Sequence, residues 1–136
     1  MSFSGSNNIK VFVVEDDLFM QAVLQEFLQV TYEVAIYPNG FDALANMQRG
    51  DLPDLIIADL NTPQLGGLAL IEQIKISDFF YSIPIIILSG EEGTAKRIEC
   101  LNAGADDFIV KPFNPAELDA RIKVVLRRMG KLTLSL

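Results

Sequence analysis

Five short apolar runs, each followed by a stretch of helical periodicity, constrain this chain more than any other feature. The runs are "IKVFVV" (Ile9 to Val14), "YEVAIY" (Tyr32 to Tyr37), "DLIIAD" (Asp54 to Asp59), "IIILS" (Ile85 to Ser89) and "DFIV" (Asp107 to Val110). A strand covered on both faces loses the apolar–polar alternation of a half-exposed strand and becomes a continuous apolar run. Between the runs, Leu18, Val23, Leu24, Phe27 and Leu28 recur at near-helical spacing, and "GFDALANMQRG", "GLALIEQIK", "TAKRIECLNAG" and "PAELDARIKVVLRRM" supply four further helices. Asn39 starts the second helix and Gly50 stops it. Asn114 caps the last one, with Pro115 at the first helical position and Glu117 three residues after the cap. The order βαβαβαβαβα implies an α/β fold: a parallel sheet with helices on both faces.

At 136 residues the chain is long enough for one domain with a real core. Half of it is hydrophobic, which excludes general disorder. The formal net charge of −7 argues against nucleic-acid binding through a basic surface. One cysteine, Cys100, allows no internal disulfide and suits a small buried hydrophobe. The absence of histidine excludes His-based catalysis and His metal ligands. The longest apolar run, Ile83 to Leu88, contains Pro84 and falls well short of a membrane span. The start, "MSFSGSNN", lacks the pattern of a signal peptide, so a cytoplasmic location is the expectation. Residues 1–8 are expected to be a flexible tail and 9–129 the domain. Residues 130–136 are a tail or the start of a missing output domain.

In an open parallel sheet, ligands collect beyond the carboxyl ends of the strands. Strand one ends in Glu15-Asp16-Asp17, strand three in Asp59, strand four in Ser89 and strand five in Lys111. Each has an ordinary explanation taken singly: a helix cap, a turn, a loop hydroxyl, a solvated charge. Together they place carboxylates, a hydroxyl and an ammonium at one rim. Packed carboxylates repel unless a cation lies between them, and oxygen ligands without His or Cys select Mg²⁺, Mn²⁺ or Ca²⁺. Lys111 and Ser89 would complete a phosphoryl site. A carboxylate so placed can attack phosphorus and form an acyl phosphate. Asp59, at the end of a central strand, is the natural nucleophile.

"VFVVEDD", "LIIADLNTP", "IIILSG" and "GADDFIVKPF" resemble, in order and spacing, the receiver domain of two-component response regulators, over roughly residues 9 to 128. The resemblance implies a flavodoxin-like (CheY-like) doubly wound fold, a three-layer sandwich around a five-stranded sheet of order 2-1-3-4-5. It implies that Asp59 is the phosphoacceptor and that Glu15 and Asp16 bind the metal, Mg²⁺ or Mn²⁺, with the backbone carbonyl of Asn61. Ser89 takes the switch hydroxyl position, Lys111 the phosphate-binding position and Phe108 the rotameric aromatic position. Lys111-Pro112 is implied to be cis. Asn61 and Glu91 occupy positions that tune the lifetime of the phosphoryl group. Asp17 has no family role, which leaves helix capping or simple exposure. Three departures stand out: Glu15 for the commoner Asp, Thr62 for a usual Met, and Gly66 where an Asp usually precedes Gly67.

The implied activity is phosphorelay: phosphoryl transfer from a sensor histidine kinase or phosphotransfer protein, followed by switching of the surface built from the fourth helix, fifth strand and fifth helix. The same surface resembles the OmpR/PhoB subclass, whose receivers dimerise there and drive a winged-helix DNA-binding domain. Its intersubunit pairs would be Arg97 with Glu117 and Asp107 with Arg121, joined by Arg128. Two other families share fragments of the pattern. "DLNTP" faintly resembles the haloacid-dehalogenase-like phosphatase signature, but Asn61 stands where that family needs a second Asp. A flavin-binding module would need a Ser/Thr/Gly-rich phosphate loop after strand one, where three acids stand instead.

Overall fold

The computed structural model describes residues 9–90 and 93–132. Its strands are β1 (Lys10–Val14), β2 (Glu33–Tyr37), β3 (Leu55–Asp59), β4 (Ile85–Ser89) and β5 (Asp107–Val110). Its helices are α1 (Leu18–Leu28), α2 (Gly40–Gln48), α3 (Gly67–Lys75), α4 (Thr94–Ala103) and α5 (Pro115–Arg128). The five strands form one sheet of order β2-β1-β3-β4-β5, and every pairing is parallel. This is the expected topology, and strands and helices begin and end within two residues of the boundaries expected from the sequence.

Side-chain alternation along the strands divides the core into two layers. Phe12, Val14, Ile56, Ala58, Ile85, Ile87 and Phe108 face one way and pack against Ala43 and Met47 of α2, Leu70, Ile71 and Ile74 of α3, and Cys100 of α4. Val11, Val13, Leu55, Ile57, Ile86, Leu88 and Ile109 face the other way, against Leu24 and Leu28 of α1 and Leu118, Ile122, Val125 and Leu126 of α5. β3 and β4 are buried along their whole length, which is why their sequences carry no internal polar residue. All residues of a strand point to one layer or the other, so the only open directions for polar chemistry are the two ends of the sheet.

The caps set where the loops leave. The Asp17 carboxylate accepts from the Met20 N–H at 3.0 Å, so Asp17 is the N-cap of α1. Asn39 accepts from the Asp42 N–H at the start of α2, and Asn114 from the Ala116 N–H at the start of α5. One local expectation is corrected: the Glu117 carboxylate does not return to its cap but accepts from Arg121, where a paired charge attracts it more strongly than a neutral amide. Beyond α5, Lys131 bonds Asp54 and Leu132 packs on the α1–α5 layer. The tail proposed for residues 1–8, residues 133–136 and Glu91 lie outside the described residues.

Candidate functional site

The carboxyl ends of β1, β3, β4 and β5 converge through register. Val14 pairs with Ala58, Asp59 with Leu88, and Ser89 with Val110, so the residues following these pairs rise from one edge. Backbone bonds hold the rim together: Glu15 N–H donates to the Tyr37 carbonyl at 2.9 Å, Leu60 N–H to Leu88 at 2.8 Å, and Lys111 N–H to Ser89 at 2.7 Å. The Lys111-Pro112 bond is cis, as the resemblance implied.

Lys111 Nζ lies 3.2 Å from Glu15 Oε1 and 3.2 Å from Asp59 Oδ1, bridging two acids from different strands. Glu15 is 1% exposed, Asp59 8% and Ser89 fully buried, while Asp16 stands in solvent. Ligand oxygens of Glu15, Asp16 and Asp59 all lie within 4.8 Å of one another. The second Glu15 oxygen accepts from the Asp17 N–H at 3.0 Å, and Gln21 Nε2 donates to the Glu15 carbonyl at 2.6 Å. The Asn61 N–H bonds the Asp59 carboxylate.

Burial pushes the Asp59 carboxyl above its ordinary value; Lys111 pulls it back and the Asp16 charge pushes it further up. Burial does the same to Glu15, with the Asp59 charge adding and the Asp17 amide and Lys111 opposing. For Lys111, burial lowers the ammonium's pKa, but the two carboxylates outweigh it and the net shift is upward. One ammonium among three carboxylates leaves the cluster short of positive charge. A compact, oxygen-only, half-buried set of this kind fits a hard divalent cation such as Mg²⁺.

Of the six expected strand-end residues, Glu15, Asp59 and Lys111 thus meet through the Lys111 bridge, and Asp16 lies within the same cluster. Ser89 lies beside them, its carbonyl bound to Lys111. Phe108 sits one layer down, 7% exposed, with the Arg97 guanidinium 5.7 Å from its ring centroid. The proposed dimer pairs take a different form within one chain: Arg121 binds both Asp107, at 3.0 Å, and Glu117, at 2.9 Å. Arg128 lies exposed in the last turn of α5. Sequence reasoning missed Gln21, whose signal was its position four residues after the Asp17 cap, on the face of α1 nearest the acids.

An open parallel sheet with a carboxylate–lysine cluster at its carboxyl rim defines a phosphoryl-handling α/β domain. This chain belongs to the response regulator receiver domains of two-component systems; that family matches residues 11–123. It is 37% identical over 133 residues to the transcriptional regulatory protein PrrA of Mycobacterium tuberculosis, covering 97% of this chain and 56% of that protein. It spans about half the length of the curated relatives it matches. Its fold is similar to a CheY-like receiver domain protein of Methanospirillum hungatei, with a TM-score of 0.83 and 27% identity over 92% of this chain and 98% of that one. A receiver domain of a sensor histidine kinase from Pseudomonas aeruginosa matches with a TM-score of 0.77 and 29% identity, over 90% and 98% of the two chains. Its structure has a magnesium ion coordinated in the active site cleft. The family matched is one of receiver domains, and the phosphatase alternative finds no support among these relatives. Among the described residues no helix is long and apolar enough to cross a membrane.

Proposed function

We propose that Asp59 accepts a phosphoryl group from a phosphohistidine on a sensor histidine kinase or phosphotransfer protein. An Asp59 carboxylate oxygen attacks phosphorus, the P–N bond breaks and the imidazole leaves with the bond's electrons. Glu15, Asp16, Asp59 and the Asn61 carbonyl would hold Mg²⁺ or Mn²⁺. When bound, the ion supplies positive charge that offsets the charge on the transferring oxygens. Lys111 would supply a second positive charge from its place between Glu15 and Asp59. Ser89 would donate to the phosphoryl oxygens, and Phe108 would link that movement to α4, β5 and α5. The observation that carries this reading is the Lys111 bridge, 3.2 Å from each of two buried acids at the mouth of a three-carboxylate cluster. Incubation with acetyl phosphate or phosphoramidate and Mg²⁺ tests it: a hydroxylamine-labile adduct on Asp59 is expected, and none would sink it.

The output side rests on the relatives. Regulators about twice this length, PrrA among them, are transcriptional, so the partner domain we propose is a DNA-binding one, with this segment itself making no nucleic-acid contact. Signalling would proceed by a homodimer through α4, β5 and α5, with Arg121 exchanging one of its two internal acids for one on a second copy, and with Arg97 and Arg128 joining. Light scattering with and without beryllofluoride checks this; an unchanged monomer counts against it. Residues 9–129 would be the receiver unit, 130–136 a tail or the start of an output domain, Asn61 and Glu91 the lifetime-tuning positions, and the cytoplasm the location.

A further inference from the structure

The loop after Asp59 is held in an unfavourable backbone shape. Gln64 and Leu65 have φ of 51° and 80°, a left-handed conformation that bulky L-residues avoid. What sustains it is the start of α2. The first N–H groups of a helix have no partner inside it. Here Gly40 N–H donates to the Leu65 carbonyl at 3.0 Å and Phe41 N–H to the Gln64 carbonyl at 3.2 Å. Asn39 closes the third N–H with its own Oδ1, at 2.8 Å from Asp42 N, and its Nδ2 reaches Gln64 Oε1 at 3.3 Å. Thr62 adds a second bond to the Leu65 carbonyl at 3.1 Å.

The approach leaves no room for a side chain at residue 40. A Cβ there would lie 2.5 Å from the Leu65 carbonyl oxygen, a backbone atom that cannot swing aside. The loop is also wound tightly on itself: Gly67 N–H bonds the Leu60 carbonyl at 3.0 Å, and a Cβ on Gly66 would lie 2.7 Å from that carbonyl oxygen. Asn61 lies inside this winding, between Leu60 and Thr62. The Thr62–Leu65 and Gly67–Leu60 bonds close the loop on either side of Asn61, which is the route from Leu65 to it.

We infer that Asn39, Gly40 and Thr62 are positioning residues for Asn61, and that the β2–α2 turn thereby sets how tightly the acidic cluster holds a divalent cation. This rests on the metal-site reading given above. None of the three contacts the ion; each acts through the loop, as residues behind a metal ligand commonly do. The departures at Thr62 and Gly66 then share one cause, a loop closed by a hydroxyl and by small residues.

The test is a Mg²⁺ titration of the metal-free full chain, followed by calorimetry and by amide shifts, together with hydrogen exchange of the Phe41 amide without metal. Gly40→Ala is expected to speed Phe41 exchange and weaken Mg²⁺ affinity about ten-fold. Thr62→Val should weaken it about three-fold, while Thr62→Ser, which keeps the hydroxyl, stays at the wild-type value. Ala22→Gly, an exposed change in α1, should lower the thermal midpoint and leave Mg²⁺ affinity alone. Wild-type affinity in Gly40→Ala or Thr62→Val overturns the inference. Where Gly40→Ala does not fold, the Thr62 pair decides. No Mg²⁺ binding by the wild-type chain would overturn the site reading and this inference with it, a result distinct from unchanged variants alone.

Discussion

The two ends of the sheet carry the same kinds of charged side chain in opposite settings. At the amino ends of the strands, Lys10 lies 2.6 Å from Asp51 and 3.7 Å from Glu33, and Lys131 lies 2.9 Å from Asp54, all with substantial access to water. At the carboxyl ends, Lys111 lies 3.2 Å from each of two acids that are nearly closed off from solvent. Distances are alike, but the surrounding dielectric is not. Exposed pairs contribute little, because water solvates either partner when the pair breaks. Buried acids repel, lose solvation and have raised pKa values, so they destabilise the fold unless a cation joins them. A cluster the fold tolerates at a cost, at the carboxyl end of the central strands, is where binding and chemistry belong.

Four experiments test this contrast. The largest effect is expected for Asp59→Asn. Phosphorylation is lost entirely, yet urea unfolding should show a gain in stability, because the raised pKa means the ionised carboxylate is worse placed folded than unfolded. A loss of stability instead would show that Lys111 fully compensates the acid. Next, Lys111→Ala should cost about 2 kcal/mol by the same measurement, since it strands Glu15 and Asp59 together, and millimolar Mg²⁺ should recover part of it.

The third concerns Tyr32 at the amino end. Among the described residues its buried hydroxyl has no hydrogen-bond partner, and burial, helped by the Asp119 charge, pushes it up to about 12 from an ordinary 10.0. The unfolded chain then releases this proton at lower pH than the folded one. Above pH 10 the folded state holds more protons, so stability falls with rising pH until about pH 12. Tyr32→Phe should flatten that alkaline limb, on the order of 2 kcal/mol over the window, and be near neutral at pH 7. An unchanged limb would place the alkaline loss elsewhere. The smallest effect is Lys10→Ala, below about 1 kcal/mol and shrinking further in high salt. A cost equal to that of Lys111→Ala would erase the distinction between the two ends.

Much of this was legible in the linear chain, and the reason differs by residue. Asp59 announced itself because a run that must be buried ends in a charge. The cap at Asn114 follows from a residue type whose side chain bonds the backbone two residues on. The bonding of Glu117 to Arg121 rather than to its cap was not legible, because both options obey the same helical spacing and only side-chain geometry chooses. Nor could the chain alone show that Asn39 reaches Gln64, twenty-five residues away, or that Gly40 is pressed against a loop carbonyl.

By itself, then, the sequence determined the alternation of elements, the parallel sheet and which strands end in reactive groups, because hydrophobic periodicity and burial act locally along the chain. Only the tertiary structure decided which of those groups touch. Strand register brought Glu15, Asp59 and Lys111 together, burial turned an ordinary set of charges into a cluster that favours a cation, and the first turn of α2 held in place a loop conformation that its own residues disfavour.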